Sequence, residues 1–180
     1  MKKVMVTGVS AGAGKSTLAA ELGKKLDIPV YHLDSIYWKP GWIEADPEEF
    51  RAAQEEIAAR DSWIIEGNYT ASFDIRLKEA DTFIYLEVPL RVCLYRVLKR
   101  WLTNLGKTRP DMAEGCPEKM DVEFLRFIIT TYKARKGKMR NYMQGFLEAD
   151  PANQVIFLSN QKQIDEFAKG GCARKSDKQI

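Results

Sequence analysis

Gly12-Ala13-Gly14-Lys15-Ser16-Thr17-Leu18 lies between the apolar run Val4-Met5-Val6 and a stretch that puts Leu18, Leu22 and Leu26 on one stripe. This order predicts a strand, a tight glycine loop and a helix over Ser16 to Leu26. Glycines let backbone N–H groups turn inward, and the helix that follows begins with the positive end of its dipole, so the turn is suited to surround phosphate. In that pattern Gly12 to Thr17 cradle a triphosphate, Lys15 reaches its β- and γ-phosphates, and the Ser16 hydroxyl holds Mg²⁺; ATP and Mg²⁺ are the expected cofactors. The alternative, an ordinary glycine turn capping a helix, gives no reason for Lys15-Ser16-Thr17. Counting back from Gly14, the spacing G-x-x-x-x-G-K-[ST] asks for glycine where Val9 stands. The nearest glycine, Gly8, comes one residue earlier, so the loop is one residue longer than the standard.

Apolar runs recur after the loop with helical patterns between them. Val30 to Leu33 reads as a strand ending at Asp34, followed by an aromatic loop (Tyr37, Trp38, Trp42) turning at Pro40-Gly41. Asp46-Pro47-Glu48-Glu49 reads as a helix start, with Asp46 as N-cap, Pro47 in the first turn and Glu49 closing a capping box; the helix runs to about Arg60. Trp63 to Glu66 and Thr82 to Leu86 are further strands, with a short helix ending near Leu77 between them and one from Pro89 to about Leu102 after them. Residues 103–121, with Gly106, Pro110, Gly115 and Pro117, form a loop of lid length that exposes Lys107 and Arg109. A long helix over about Val122 to Tyr142 follows, with Phe124, Phe127, Ile128 and Tyr132 on its apolar side. Gln154 to Leu158 is a fifth strand, Ser159 caps a last helix to Ala168, and the polar segment 170–180 reads as a disordered tail. Alternating strands and helices imply an α/β fold: a five-stranded parallel sheet between two helical layers, as one domain over 1–169 with an acceptor-binding region at about 34–62.

Length and composition agree with one soluble, cytoplasmic domain. No apolar run approaches the roughly 18 residues that suggest a membrane span, and Cys93, Cys116 and Cys172 are odd in number and far apart, which suits free thiols better than a disulfide framework or zinc site. The net charge of +3 hides an asymmetry: residues 1–90 carry 10 Lys/Arg against 15 Asp/Glu, and residues 91–180 carry 18 against 10. Arg91 to Arg109 and Arg126 to Arg140 contain no acid, a pattern that can clamp phosphates, attract nucleic acid or simply form a solvated helix face.

In parallel sheets ligands gather at the carboxyl ends of the strands. Glu66 ends a strand where an acid can complete the Mg²⁺ shell opposite Ser16, or stand as an exposed charge. Asp34 ends another, where a carboxylate can take or orient the proton of a substrate hydroxyl, or serve as a turn former. His32 reads as structural. Trp38 and Trp42 can stack on a base or sugar, or pack on the neighbouring helix.

These segments resemble the nucleoside-monophosphate-kinase-like P-loop proteins. Trp63-Ile64-Ile65-Glu66-Gly67-Asn68-Tyr69 is similar to the strand and turn of adenylate kinases that lead into the acceptor site. Leu86-Glu87-Val88-Pro89 with Arg91, Cys93, Arg96 and Arg100 is similar to the strand and helix entering their lid. Tyr31-His32-Leu33-Asp34, Trp38-Lys39-Pro40-Gly41-Trp42, Glu66-Gly67-Asn68-Tyr69, Gly106 to Asp111 and Gly115 to Glu118 resemble the bacterial DNA topology modulation subgroup, over about residues 2 to 160. The resemblance implies that Arg96, Arg100 and Arg109 surround the transferring phosphoryl group, and that Gly67 and Asn68 join Asp34, Trp38 and Trp42 around an acceptor. Asn68-Tyr69 stands where adenylate kinases carry the proline and arginine that bind an acceptor phosphate, which argues against adenosine monophosphate. The expected function is ATP-dependent phosphoryl transfer to a small-molecule or nucleotide-like acceptor. The alternative is a nucleotide-binding regulator acting on nucleic acid, although no helix-turn-helix, metal finger or RNA-binding motif is present.

Overall fold

The computed structural model describes residues 1–170, so Cys172 and all but the first residue of the expected tail lie outside the described residues. Strand β1 (Lys3–Gly8) runs into the glycine loop and helix α1 (Lys15–Leu26). Strand β2 (Val30–His32) is followed by α2 (Leu33–Tyr37), the two short strands β3 (Trp38–Lys39) and β4 (Ile43–Glu44), and α3 (Pro47–Ala58). Then come β5 (Trp63–Glu66), a single 3₁₀ turn at Thr70–Ser72, α4 (Phe73–Glu79), β6 (Thr82–Leu86) and α5 (Leu90–Thr103). The lid segment leads to α6 (Val122–Ala149), β7 (Gln154–Leu158) and α7 (Gln161–Ala168).

The main sheet has the order β2-β5-β1-β6-β7, with every pairing parallel. Its central strands are apolar runs because both faces are covered: Val4, Met5, Val6, Ile64, Ile65, Phe83, Ile84 and Tyr85 have no exposed surface. Helices α1 and α7 pack together on one side, while α4 and α6 cover the other, with α3 against α4 and α5 against α6. The result is a three-layer α/β fold, with the carboxyl ends of β1, β2, β5 and β6 at one edge.

Five local expectations change. Strand β2 stops at His32, and Asp34 sits in the first turn of α2 rather than at a strand end. The aromatic loop is α2 plus an antiparallel hairpin, in which Gly41 and Trp42 both take positive φ (81° and 64°) to make the turn. Its anchor is the aromatic group Tyr37, Phe50 and Tyr69, whose ring centroids lie 4.8–5.1 Å apart. Asp46 caps α3 as expected, accepting from the N–H groups of Glu48 and Glu49, but the Glu49 carboxylate pairs with Lys39 at 2.6 Å. Finally, α6 continues to Ala149 because Met139, Met143 and Phe146 keep its stripe buried, whereas Phe127 is exposed on the free half. The cap of α7 is Asn160, whose side chain accepts from the Gln163 N–H, and Ser159 is not the cap.

Candidate nucleotide and acceptor site

Steric limits shape the glycine loop. A Cβ on Gly12 (φ 76°) would lie 2.4 Å from the Cys93 carbonyl oxygen at the start of α5, so only glycine fits that approach. A Cβ on Gly8 would meet the Ala13 Cβ at 2.9 Å and the Lys15 Cγ at 3.0 Å, which makes Gly8 the leading glycine of the longer loop. The loop is tied at both sides of its base: the Gly8 N–H donates to Asn68 Oδ1 at 3.0 Å, and the Val9 N–H to the Leu86 carbonyl at 2.8 Å. Gly14, left-handed at φ 101°, then starts α1. Lys15 Nζ rests 3.5 Å from the Ser10 carbonyl, and the buried Ser10 hydroxyl has no protein partner. Thr17 is exposed and Ala13 is buried.

Ser16, Glu66 and His32 converge beside the loop. The Ser16 hydroxyl donates to Glu66 Oε1 at 2.9 Å, and His32 Nδ1 lies 3.2 Å from the same oxygen. Burial pushes the Glu66 carboxyl up, but the His32 hydrogen bond, the Lys15 charge and the Ser16 hydroxyl outweigh it and hold the group below its ordinary value. The Glu66 hydrogen bond in turn raises His32. Glu66 Oε2 is buried with no protein partner. A hydroxyl and an unsatisfied carboxylate oxygen beside a glycine cradle fit Mg²⁺, an ion that retains waters and takes phosphate oxygens in preference to an all-protein cage. In keeping with that sparse donor set, no group of three or more His, Cys, Asp or Glu side chains placed to hold a metal occurs among the described residues.

Asp34 faces the same space from α2. Its Oδ1 accepts from the Tyr69 hydroxyl at 2.7 Å, and burial followed by the nearby Glu66 charge raises its carboxyl, against the opposing pull of Lys15 and Arg109. Tyr69 and Asn68 are held by Arg76, a side chain that sequence reasoning passed over. Arg76 is fully buried and donates to the carbonyls of Gly67 at 2.9 Å and Tyr69 at 2.7 Å, with its guanidinium 4.6 Å from the Phe73 ring centroid. Burial lowers its pKa to about 9. An arginine on the same helical stripe as Phe73 and Leu77 was the available signal. Arg76→Met should leave the buried Gly67 carbonyl without its Arg76 donor, while the Tyr69 carbonyl keeps the Ser72 hydroxyl and N–H, and should cost about 1–3 kcal/mol. A chemical denaturation midpoint equal to that of the wild type would show that the turn is held by other contacts.

The predicted arginines take different places. Arg96 donates to the carbonyls of Gly12 and Ala13 at 3.4 and 3.2 Å and to the Gln161 side chain, so it braces the loop from outside. Arg100 and Arg109 meet in the lid. Glu118 Oε1 is 3.1 Å from Arg100, Glu118 Oε2 is 2.7 Å from Arg109, and Asp111 is 2.8 Å from Arg109. Arg109 is therefore largely covered, correcting its expected exposure, and the sequence alone assigned neither acid a role as its partner. Trp42 donates its indole N–H to the Pro117 carbonyl at 3.1 Å and packs edge-on against Trp38, so the tryptophans join the hairpin to the lid. Cys93 and Cys116 are buried free thiols.

No family model matches the chain. It is 26% identical over 107 residues to the uncharacterized protein YqaC of Bacillus subtilis (strain 168), a match covering 58% of this chain and 60% of that protein, so the chain spans only three-fifths of that relative's length. Among solved structures it is similar to a shikimate kinase from Bacteroides thetaiotaomicron (TM-score 0.51, 20% identity, 92% of this chain and 93% of that one). A sugar kinase from Janibacter sp. HTCC2649 matches with TM-score 0.51 and 18% identity over 93% and 92% of the two chains. A shikimate kinase from Acinetobacter baumannii in complex with shikimate does so with TM-score 0.51 and 17% identity over 94% and 90%. The chain shares with these kinases its α/β fold, a five-stranded parallel sheet flanked by helices. Among the described residues no helix is long and apolar enough to cross a membrane.

Proposed function

We propose that the protein is an ATP- and Mg²⁺-dependent kinase of adenylate-kinase-like type, related to the topology modulation subgroup and working in the cytoplasm, that transfers the γ-phosphoryl group to a hydroxyl of a small acceptor. The observation that carries this reading is the meeting of Ser16, Glu66 and Asp34 beside Lys15 and the glycine loop. Bound Mg²⁺ would neutralise charge on the β- and γ-phosphates, with Ser16 and Glu66 as its protein-side partners. Lys15 swings from the Ser10 carbonyl to the phosphates. Asp34, fixed through Oδ1 by Tyr69, uses Oδ2 to take the acceptor proton as the acceptor oxygen bonds to phosphorus and ADP leaves. The lid, by covering this space, keeps water from taking the acceptor's place.

A screen of nucleosides, nucleotides, sugars and small alcohols for acceptor-dependent conversion of ATP to ADP tests the proposal. One compound that is phosphorylated stoichiometrically with ADP release is the expected outcome. Salt-sensitive duplex binding, with no acceptor raising ATP turnover, would instead favour the nucleic-acid regulator.

A further inference from the structure

The lid contains its own counter-charge and its own fastening. Bridges pair Thr108 with Pro117 and Leu105 with Glu118, and the Glu118 N–H donates to the Lys107 carbonyl at 2.9 Å, so the segment folds back on itself around buried Met112 and Cys116. It then docks on the β3–β4 hairpin. The Gly41 N–H donates to the Gly115 carbonyl at 3.0 Å, the Cys116 thiol to the Lys39 carbonyl at 3.2 Å, and the Trp42 indole to the Pro117 carbonyl at 3.1 Å. Gly115, at φ 76°, lies so close to Pro40 that a Cβ there would be 3.0 Å from the proline Cβ. Lys119 Nζ sits 5.2 Å from the Trp42 ring centroid.

Behind these contacts the Glu118 side chain, 4% exposed, separates two guanidinium groups. Side by side in a half-buried space, Arg100 and Arg109 repel each other, and Arg109 helps depress the pKa of Arg100, after burial itself. A carboxylate between them offers the paired oxygen acceptors that a phosphate would offer, with similar geometry. The Glu118 oxygen nearer Arg109 is in ion-pair range but out of line for a hydrogen bond, so this contact is not an optimised one.

We propose that the lid is latched on the hairpin before nucleotide binds, with Glu118 holding the place of a phosphate between Arg100 and Arg109, and that a triphosphate enters by taking these arginines from Glu118. The exchange rests on the nucleotide-binding reading above; the latch does not. Glu118 is then a positioning residue that keeps the arginines convergent and also competes with the ligand. Trp42 and Gly115 set how readily the lid opens.

Two measurements separate these parts. In the nucleotide-free protein, trypsin can cut after exposed Lys107 and Lys119, whereas Arg109 precedes Pro110, a bond trypsin does not readily cut. Trp42→Phe keeps the ring but loses the indole donor, and should speed those cuts by up to about tenfold, the population change given by one lost hydrogen bond, with the melting temperature unchanged. Glu118→Gln keeps the shape but not the charge, and should bind a nonhydrolysable ATP analogue with Mg²⁺ about tenfold more tightly by calorimetry, a charge-assisted contact no longer competing. Glu118→Asp, which retains the charge, should remain near the wild-type affinity. Unchanged cleavage in Trp42→Phe overturns the latch, and equal or weaker analogue binding by Glu118→Gln overturns the exchange. A wild type that does not bind the analogue overturns the exchange together with the nucleotide reading, while leaving the cleavage result to decide the latch.

Discussion

Lys15→Ala should lower triphosphate turnover by on the order of 10²–10³-fold, the scale for removing one preorganised charge from a transferring group, and should leave the fold intact. The side chain is partly exposed, and its hydrogen-bond contact within the protein is a 3.5 Å approach to the Ser10 carbonyl, so the chain loses little packing when it is truncated. Its electrostatic role is larger, since its charge helps hold both Glu66 and Asp34 in their ionised forms. Triphosphate binding by calorimetry, turnover and a thermal melt on one preparation decide the matter. A folded variant that turns over at nearly the wild-type rate would rule out the phosphate-loop assignment.

Asp34→Asn should preserve triphosphate binding and reduce transfer to the acceptor by about 10²–10⁴-fold, the usual contribution of a positioned general base. Amide and carboxylate are nearly isosteric, and the Tyr69 hydroxyl can still donate to Oδ1. The pH profile distinguishes a base from a turn residue. Burial and then Glu66 raise the Asp34 pKa, so in the wild type transfer should fall, as pH drops, through a value above that of an ordinary carboxylate. The variant should lack this limb. Stability should move the other way. A carboxyl whose folded pKa is raised imposes no charge cost below its unfolded pKa, and the full cost only above its folded pKa. Asparagine removes that cost, so the variant should melt slightly higher than the wild type at neutral pH. Transfer at the wild-type rate with an unchanged pH profile would leave Asp34 as a structural residue of α2.

The parts legible in the sequence were those set by local chemistry. The glycine loop, the three central strands and the Asp46 cap depend on neighbours within a few residues, and the structure places them where the pattern puts them. The hairpin was not legible because its two-residue strands have little periodicity of their own; they exist because Tyr37 packs on Phe50 and Tyr69 and because the lid bonds to Gly41 and Trp42. Glu118 and Asp111 were hidden for the same reason. The acid-free run from Arg91 to Arg109 reads as a phosphate clamp, a nucleic-acid surface or a solvated helix face, and gives no sign that compensating charges arrive from just beyond its end when the lid folds back. His32 reads as structural from the sequence, and its contact was not legible there because the register places it opposite Glu66, 34 residues away in sequence.

Helix α5 joins the glycine loop to the lid. Cys93 in its first turn forms the floor under Gly12, Arg96 one turn later grips the loop carbonyls, and Arg100 near its far end engages Glu118. At 14 residues it is a rod of roughly 21 Å. A rod clamped to the glycine loop at one end and to the lid at the other cannot rock at the first without sweeping the second through a wider arc. The two are geared together mechanically, in addition to any charge they share.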